Sequence, residues 1–336
     1  RSLPSRLRLP LLGSLAPYAR MRSNDRSSDQ RSPVRALPAS TVRGLLLVAT
    51  LGNPRHLSNV GRNVRSHFGG WDCIAYMHSS APLNATFEHC RVVRRYGWGW
   101  ASLLNLTTPA VVSPYTHVCI LLDDVILPSR SFKLTQVLAT MHAFKLDVAS
   151  PAVLGGHFSG TDPPHVNTTS RSHPAFLTES LPYPARATNS LRTWWRRHAP
   201  QAATSVVPCV RIVPLVEVFV TFYTSAAWHC LWSLFDHRVL RTPSRALGSG
   251  YAECLGAHCV TRGVRRQGVI LSSLVFHPRG RGKSSLWPLF KQLVAQMGRL
   301  HEWVNQTDGR TCVVPHAAPP DDGWPITCAL ASHEKQ

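Results

Sequence analysis

The stretch Thr116-His-Val-Cys-Ile-Leu-Leu-Asp-Asp-Val-Ile-Leu-Pro128 decides how the chain is read. Five apolar residues, Val118 to Leu122, run straight into two carboxylates, Asp123 and Asp124. An unbroken apolar run of this length reads as a strand buried on both faces of a parallel or mixed sheet. Ligands of open α/β sheets bind beyond the carboxyl ends of such strands. Two acids placed there can hold a hard cation, and the cation can hold a phosphate. The same two acids also suit a turn that caps the next helix.

Working outward, the flanking segments repeat a strand–helix rhythm. Gly44–Thr50 is a short apolar strand, closed by Gly52-Asn53-Pro54. A polar helix is expected over about Leu57–His67, then a strand over Trp71–His78 and a short one over Cys90–Arg94. Downstream, Phe132–Phe144 is apolar at helical spacing, and Asp147–Val153 reads as a strand. Val213–Phe222 reads as one strand, Ser225–Phe235 as a helix capped by Thr224 or Ser225, and Val269–Phe276 as a strand ending in His277. A helix over about Trp287–Trp303 closes the fold. Strands separated by helical stretches imply βαβ units, hence a mixed, mainly parallel sheet flanked by helices.

The remaining segments differ in texture. Residues 1–42 are rich in Arg, Ser and Pro, with only Asp25 and Asp29 as acids, and read as a disordered basic arm or stem. Residues 155–208, rich in Gly, Pro, Ser, Thr and His, read as a long insertion in a domain spanning 43–303. Residues 304–336 read as a Pro-rich tail.

The formal net charge of +20 points toward anionic partners. However, Arg outnumbers Lys 32 to 5, a skew that coding bias produces, and no recognition-helix, RNP or zinc-finger pattern accompanies it. No nucleic-acid partner is expected. The nine cysteines form no Cys-x-x-Cys. Cys119 and Cys230 lie in apolar runs and read as buried thiols; Cys312 and Cys328 bracket the tail, where a disulfide would help most. Sequons stand at Asn84, Asn105, Asn167 and Asn305, more than the one or two that chance supplies by a rough estimate. Sequons and disulfides together favour the secretory pathway or Golgi lumen over plastid or cytoplasm. Leu215–Phe235 approaches a membrane span in length, but Glu217 and His229 interrupt it, so it reads as strand and core helix. The chain begins at Arg1 and not Met, as a fragment or processed form would, and an anchor would lie upstream.

Several blocks, in order, resemble the plant and algal domain-of-unknown-function 707 family, often labelled lysine-ketoglutarate-reductase trans-splicing-related. They are Cys119–Val125, Leu146–Ala152, Val216-Glu217 with Ala226–Cys230 and Trp232, and Val275-Phe-His277. The resemblance covers about Leu45–Leu300 and implies a GT-A-like glycosyltransferase fold. By that resemblance the partners are a nucleotide-sugar and a glycan or glycoconjugate acceptor, and the cofactor is Mn2+ or Mg2+. Asp124 and His277 would ligate the metal. Asp123 would face the nucleotide. Apart from the resemblance, Arg262, Arg265 and Arg266 suit a diphosphate or an anionic acceptor, or else a solvated basic face. By the resemblance, Glu217 would orient an acceptor hydroxyl or act as base, Trp228 would stack on a sugar face or else belong to the core, and Glu253, beside the family's acid position, would contact substrate. The family's acid-x-acid begins here with Leu122, and other family acids fall on Ala252, Leu271 and Ser273. Three readings follow: a transferase with a weakened metal site, an inactive paralogue that binds glycan or protein, and, remotely, a basic nucleic-acid binder.

Overall fold

The run Val118–Leu122 is a strand at the centre of the sheet. The computed structural model describes residues 42–50, 54–77, 87, 89–94, 106–154, 209–213, 216, 218–235, 251–277, 302, 304–310, 312 and 326–328. All of these fall within the unit Pro33–Gln336. The basic arm, but for Val42, the 155–208 insertion and most of the tail lie outside them.

The strands are β1 (Gly44–Thr50), β2 (Asp72–Met77), β3 (Cys90–Arg94), β4 (His117–Leu122), β5 (Val148–Leu154), β6 (Cys209–Ile212), β7 (Val220–Thr224), β8 (Gln267–Phe276) and β9 (Ile326–Cys328). The helices are α1 (Pro54–His67), α2 (Pro109–Val112), α3 (Leu134–Phe144), α4 (Ser225–Phe235) and α5 (Tyr251–Cys259). One nine-stranded sheet results, in the order β3-β2-β1-β4-β7-β5-β8-β6-β9. Only β6 and β7 run against the other seven. The mixed, mainly parallel α/β fold expected from the sequence is the fold observed.

Alternation along each strand builds two cores, one per face. Val118 and Ile120 join Leu45, Leu47, Tyr223 and the helix residues Trp228, Leu231 and Cys254 on one side. Cys119 and Leu121 join Leu46, Val48 and Phe222 with Leu57, Val60 and Val64 of α1 and Val137 and Met141 of α3 on the other. Gly44 starts β1 because a Cβ there would meet the Trp71 ring at 2.0 Å.

Several expectations need correction. Val213–Phe222 is not one strand: β6 ends at Ile212, and β7 begins at Val220 on the other side of β5 and β8. The helix expected over Trp287–Trp303 lies outside the described residues but for Glu302, and residues 304–308 are helical. Cys230 is not a free thiol but is bonded to Cys259, and Cys312 pairs with Cys254, not Cys328. The third described pair, Cys73–Cys90, joins register partners on β2 and β3. Cys119 is a buried free thiol, pushed well above its ordinary value by burial. Among the described residues, no helix is long and apolar enough to cross a membrane.

Candidate functional site

The chain lays β1, β2 and β3 outward, then returns to place β4 on the other side of β1. That reversal is a topological switch point, where α/β sheets open a crevice at the strands' carboxyl ends. β4 enters the crevice as Asp123 and Asp124. The amino end of α1, which follows β1, arrives at the same edge: His56 Nδ1 is 3.6 Å from Asp123 Oδ1.

Backbone pairing then fixes what stands beside Asp124. Leu122 N–H donates to Phe219 O at 3.0 Å. Ile126 and Phe276 exchange two hydrogen bonds, of 2.7 and 2.9 Å, as an isolated antiparallel bridge. Ser131 adds two more contacts to Leu274, one through its hydroxyl and one through its carbonyl. The end of β8 is thereby stitched to the segment after β4, and His277 is delivered to Asp124. His277 Nε2 lies 2.8 Å from Asp124 Oδ2. The imidazole is buried, 4.4 Å centroid to centroid from the Phe219 ring.

The far wall of this segment is α1. Asn59 and Asn63 both donate to Val125 O, at 2.9 and 2.7 Å, and Leu127 N–H donates back to Asn63 Oδ1 at 3.1 Å. His67 Nε2 donates to Leu127 O at 2.9 Å. Positions 59, 63 and 67 recur every four residues, so they form one stripe along the helix. The stripe supplies backbone partners to Val125 O, Leu127 N–H and Leu127 O after the chain leaves β4.

Two orphaned atoms mark the Asp124–His277 pair. Asp124 Oδ1 and His277 Nδ1 are buried without a hydrogen-bond partner among the described residues. Octahedral ligands about 2.0–2.1 Å from a cation stand about 2.9 Å apart when adjacent. The observed 2.8 Å is a hydrogen bond between the two side chains; it equals one such edge, and a cation would have to replace the shared proton. Among the described residues no group of three His, Cys, Asp or Glu side chains converges in metal-holding geometry. The pair therefore fits a cation only as two ligands, with substrate oxygens and water completing the shell.

The other predicted residues divide clearly. Asp123 is buried at this edge. Glu217 lies outside the described residues, two positions before Phe219. Glu253 is in the first turn of α5, and its side chain lies outside the description. Trp228 does not reach a substrate: it is fully buried, donates from Nε1 to Thr107 O at 2.9 Å and packs edge-on against Tyr223. Arg262 does not reach this crevice either. It precedes β8, at the opposite edge of the sheet from His277, roughly 20–30 Å away along the strand. Its Nη1 donates to His258 O and Asp308 Oδ1.

A second polar cluster lies with Arg262. His258 Nδ1 donates to Asp308 Oδ2 at 2.6 Å, and its Nε2 faces Ser233 Oγ at 3.1 Å. Burial holds His258 below its ordinary value, against the opposing pull of Asp308. These distances resemble a nucleophile–base–acid relay. Yet the Ser233 hydroxyl donates to Cys230 O at 2.7 Å, and Ser233 sits in the last turn of α4, where free carbonyls disfavour an oxyanion. The cluster is a fastener. With Cys230–Cys259 and Cys254–Cys312 it ties α4, α5 and residues 304–312 together.

No family model matches the chain, and no curated protein matches it. Among solved structures, the chain is similar to glucosyl-3-phosphoglycerate synthase from Mycobacterium tuberculosis in complex with Mn2+, UDP and phosphoglyceric acid. The identity is 12%, covering 78% of this chain and 79% of that one, with a TM-score of 0.42. A CMP:2-keto-3-deoxy-manno-octonic acid synthetase complexed with CTP is similar at 10% identity, over 76% of this chain and 99% of that one, with a TM-score of 0.33. Likenesses this remote carry no chemistry from one protein to the other.

Proposed function

We propose that this chain is a glycosyltransferase-like protein of the domain-of-unknown-function 707 kind, binding a nucleotide-sugar in the crevice between β1 and β4. The observation that supports the reading is the meeting of Asp124 and His277 at the switch point, where a hydrogen bond joins a carboxylate and an imidazole that a cation could bridge in its place. A carboxylate with one imidazole suits Mn2+ better than Mg2+. Bound there, the cation would neutralise the donor diphosphate as the glycosidic bond breaks. Asp124 and His277 hold that position; α1 and the β8 stitch keep it rigid. Asp123 lies on the α1 side, where it would take the nucleoside, and Glu217, close in sequence to Phe219, would accept the proton of an acceptor hydroxyl on a glycan or glycoconjugate. The three described disulfides support an oxidising compartment, the secretory pathway or Golgi lumen.

A second reading has its own observation. Leu122, where the resemblance calls for an acid, packs with the core cluster below the site. A paralogue that binds a sugar or partner without metal fits that substitution. Titration of UDP- and GDP-sugars with and without Mn2+, followed by thermal shift, separates the two. A Mn2+-dependent rise in melting temperature supports the transferase reading. No response to any nucleotide rejects it.

A further inference from the structure

The sequon Asn305-Gln306-Thr307 has no place in the crevice, and its surroundings assign it a different role. Residues 304–308 form the final described helical turn, which Gly309 ends with φ 61°, its N–H donating to Asn305 O at 2.9 Å. One side of this turn is locked inward. Val304 is fully buried, the Asp308 carboxylate is 7% exposed against His258, and Cys312 is bonded to Cys254. The other side faces water: Asn305, Gln306 and Thr307 are all exposed. Gln306 is engaged with Glu302, whereas the Asn305 amide makes no hydrogen bond among the described residues. A glycan on Asn305 would therefore displace no contact among the described residues.

We propose that Asn305 carries an N-linked glycan. The chemistry is a transfer. The Asn305 amide nitrogen attacks the anomeric carbon of an oligosaccharide carried on a lipid diphosphate: the C1–N bond forms as the C1–O bond to phosphate breaks, the lipid diphosphate leaves as the anion, and the amide nitrogen gives up one proton to a base of the transferring enzyme or to water. The transferring enzyme needs the sequon in a free, pliable segment, and the folded turn is neither. Addition therefore precedes closure of Cys254–Cys312, which pins Val304 and Asp308 inward. The inference rests on the secretory reading of the preceding section.

The test is peptide mapping of the native protein purified from its source, with and without enzymatic release of N-glycans. Conversion of Asn305 to Asp on release is the expected result. Release at Asn84, Asn105 or Asn167 with Asn305 unmodified overturns this proposal and leaves the secretory reading standing. No release at any of the four overturns both. A Cys312→Ser chain checks the order of events. Its Asn305 occupancy should equal or exceed that of the parent, and a fall would show that modification needs the closed disulfide.

Discussion

His277 Nε2 stands 2.8 Å from Asp124 Oδ2 although 153 residues separate them in the chain. Neither residue is held by its own strand alone. The Ile126–Phe276 bridge aligns the two exits. If the pair ligates a cation, Asp124→Asn and His277→Asn should each weaken Mn2+-dependent nucleotide binding by at least about tenfold. The double variant should lose little more than either single one, because one site is removed once. Calorimetric titration of Mn2+ in the presence of UDP measures this. Additive losses would mean the two residues act at separate places.

Asn63 is the residue through which α1 holds the site. Asn63→Leu removes its bonds to Val125 O and Leu127 N–H. Leaving the buried Leu127 amide unsatisfied costs about 1–3 kcal/mol. Asn63→Asp keeps the acceptor for Leu127 N–H but sets a buried carboxylate against Val125 O, so it should be at least as destabilising as Asn63→Leu in chemical denaturation at neutral pH. Both should weaken Mn2+–nucleotide binding as well, since Asp124 precedes the held segment.

Trp228 gives a contrasting result. Trp228→Ala should destabilise the fold by about 3–5 kcal/mol, as large aromatic truncations in cores do. Trp228→Phe loses only the bond to Thr107 O and some packing, at about 1 kcal/mol. Neither should alter nucleotide affinity in the protein that remains folded. A selective loss of sugar binding in Trp228→Phe would return this residue to the site.

Acid should weaken the fold through three histidines. Burial lowers His117 from 6.5 to about 4, with His142 adding to the effect. Burial is also the largest cause of the lowering at His258 and His67. In each case the folded value lies below the unfolded one, so the unfolded chain takes up protons first. Their contribution is intact above pH 6.5 and drains away as pH falls toward 4. The melting temperature should drop over that window, and His117→Gln should flatten the drop. An unchanged slope in that variant would assign the acid sensitivity elsewhere.

The sequence disclosed the sheet because its strands are written in unbroken apolar runs. Val118–Leu122 is legible without help, and so is the helix at Ser225, where the Thr224 hydroxyl accepts from Ala227 N–H as expected of a cap. The reversal of β7 was hidden, since an apolar run carries no sign of direction, and Val213–Phe222 looked like one strand where the chain crosses between two. α5 was masked by its small residues. Asp124 was legible as a candidate ligand from the apolar run it follows, whereas His277 came from a resemblance; nothing local in either segment announces the other. Asn59, Asn63 and His67 were overlooked because polar residues at helical spacing ordinarily mark a solvated face, and only the third dimension shows a strand exit waiting for partners. Disulfide pairing was likewise a matter of which helices meet.

The placement of β7 has a bearing on how the molecule assembles. β4 and β5 follow one another in the chain, yet they are held a strand apart by a segment made some seventy residues later. Until Val220–Thr224 arrives, both strands present bare edges that can recruit a wrong chain. Contacts closed over such sequence distances are slow to form. The half-built sheet is thus the stage most exposed to aggregation, and a chain truncated before β7 should be the species that chaperones retain.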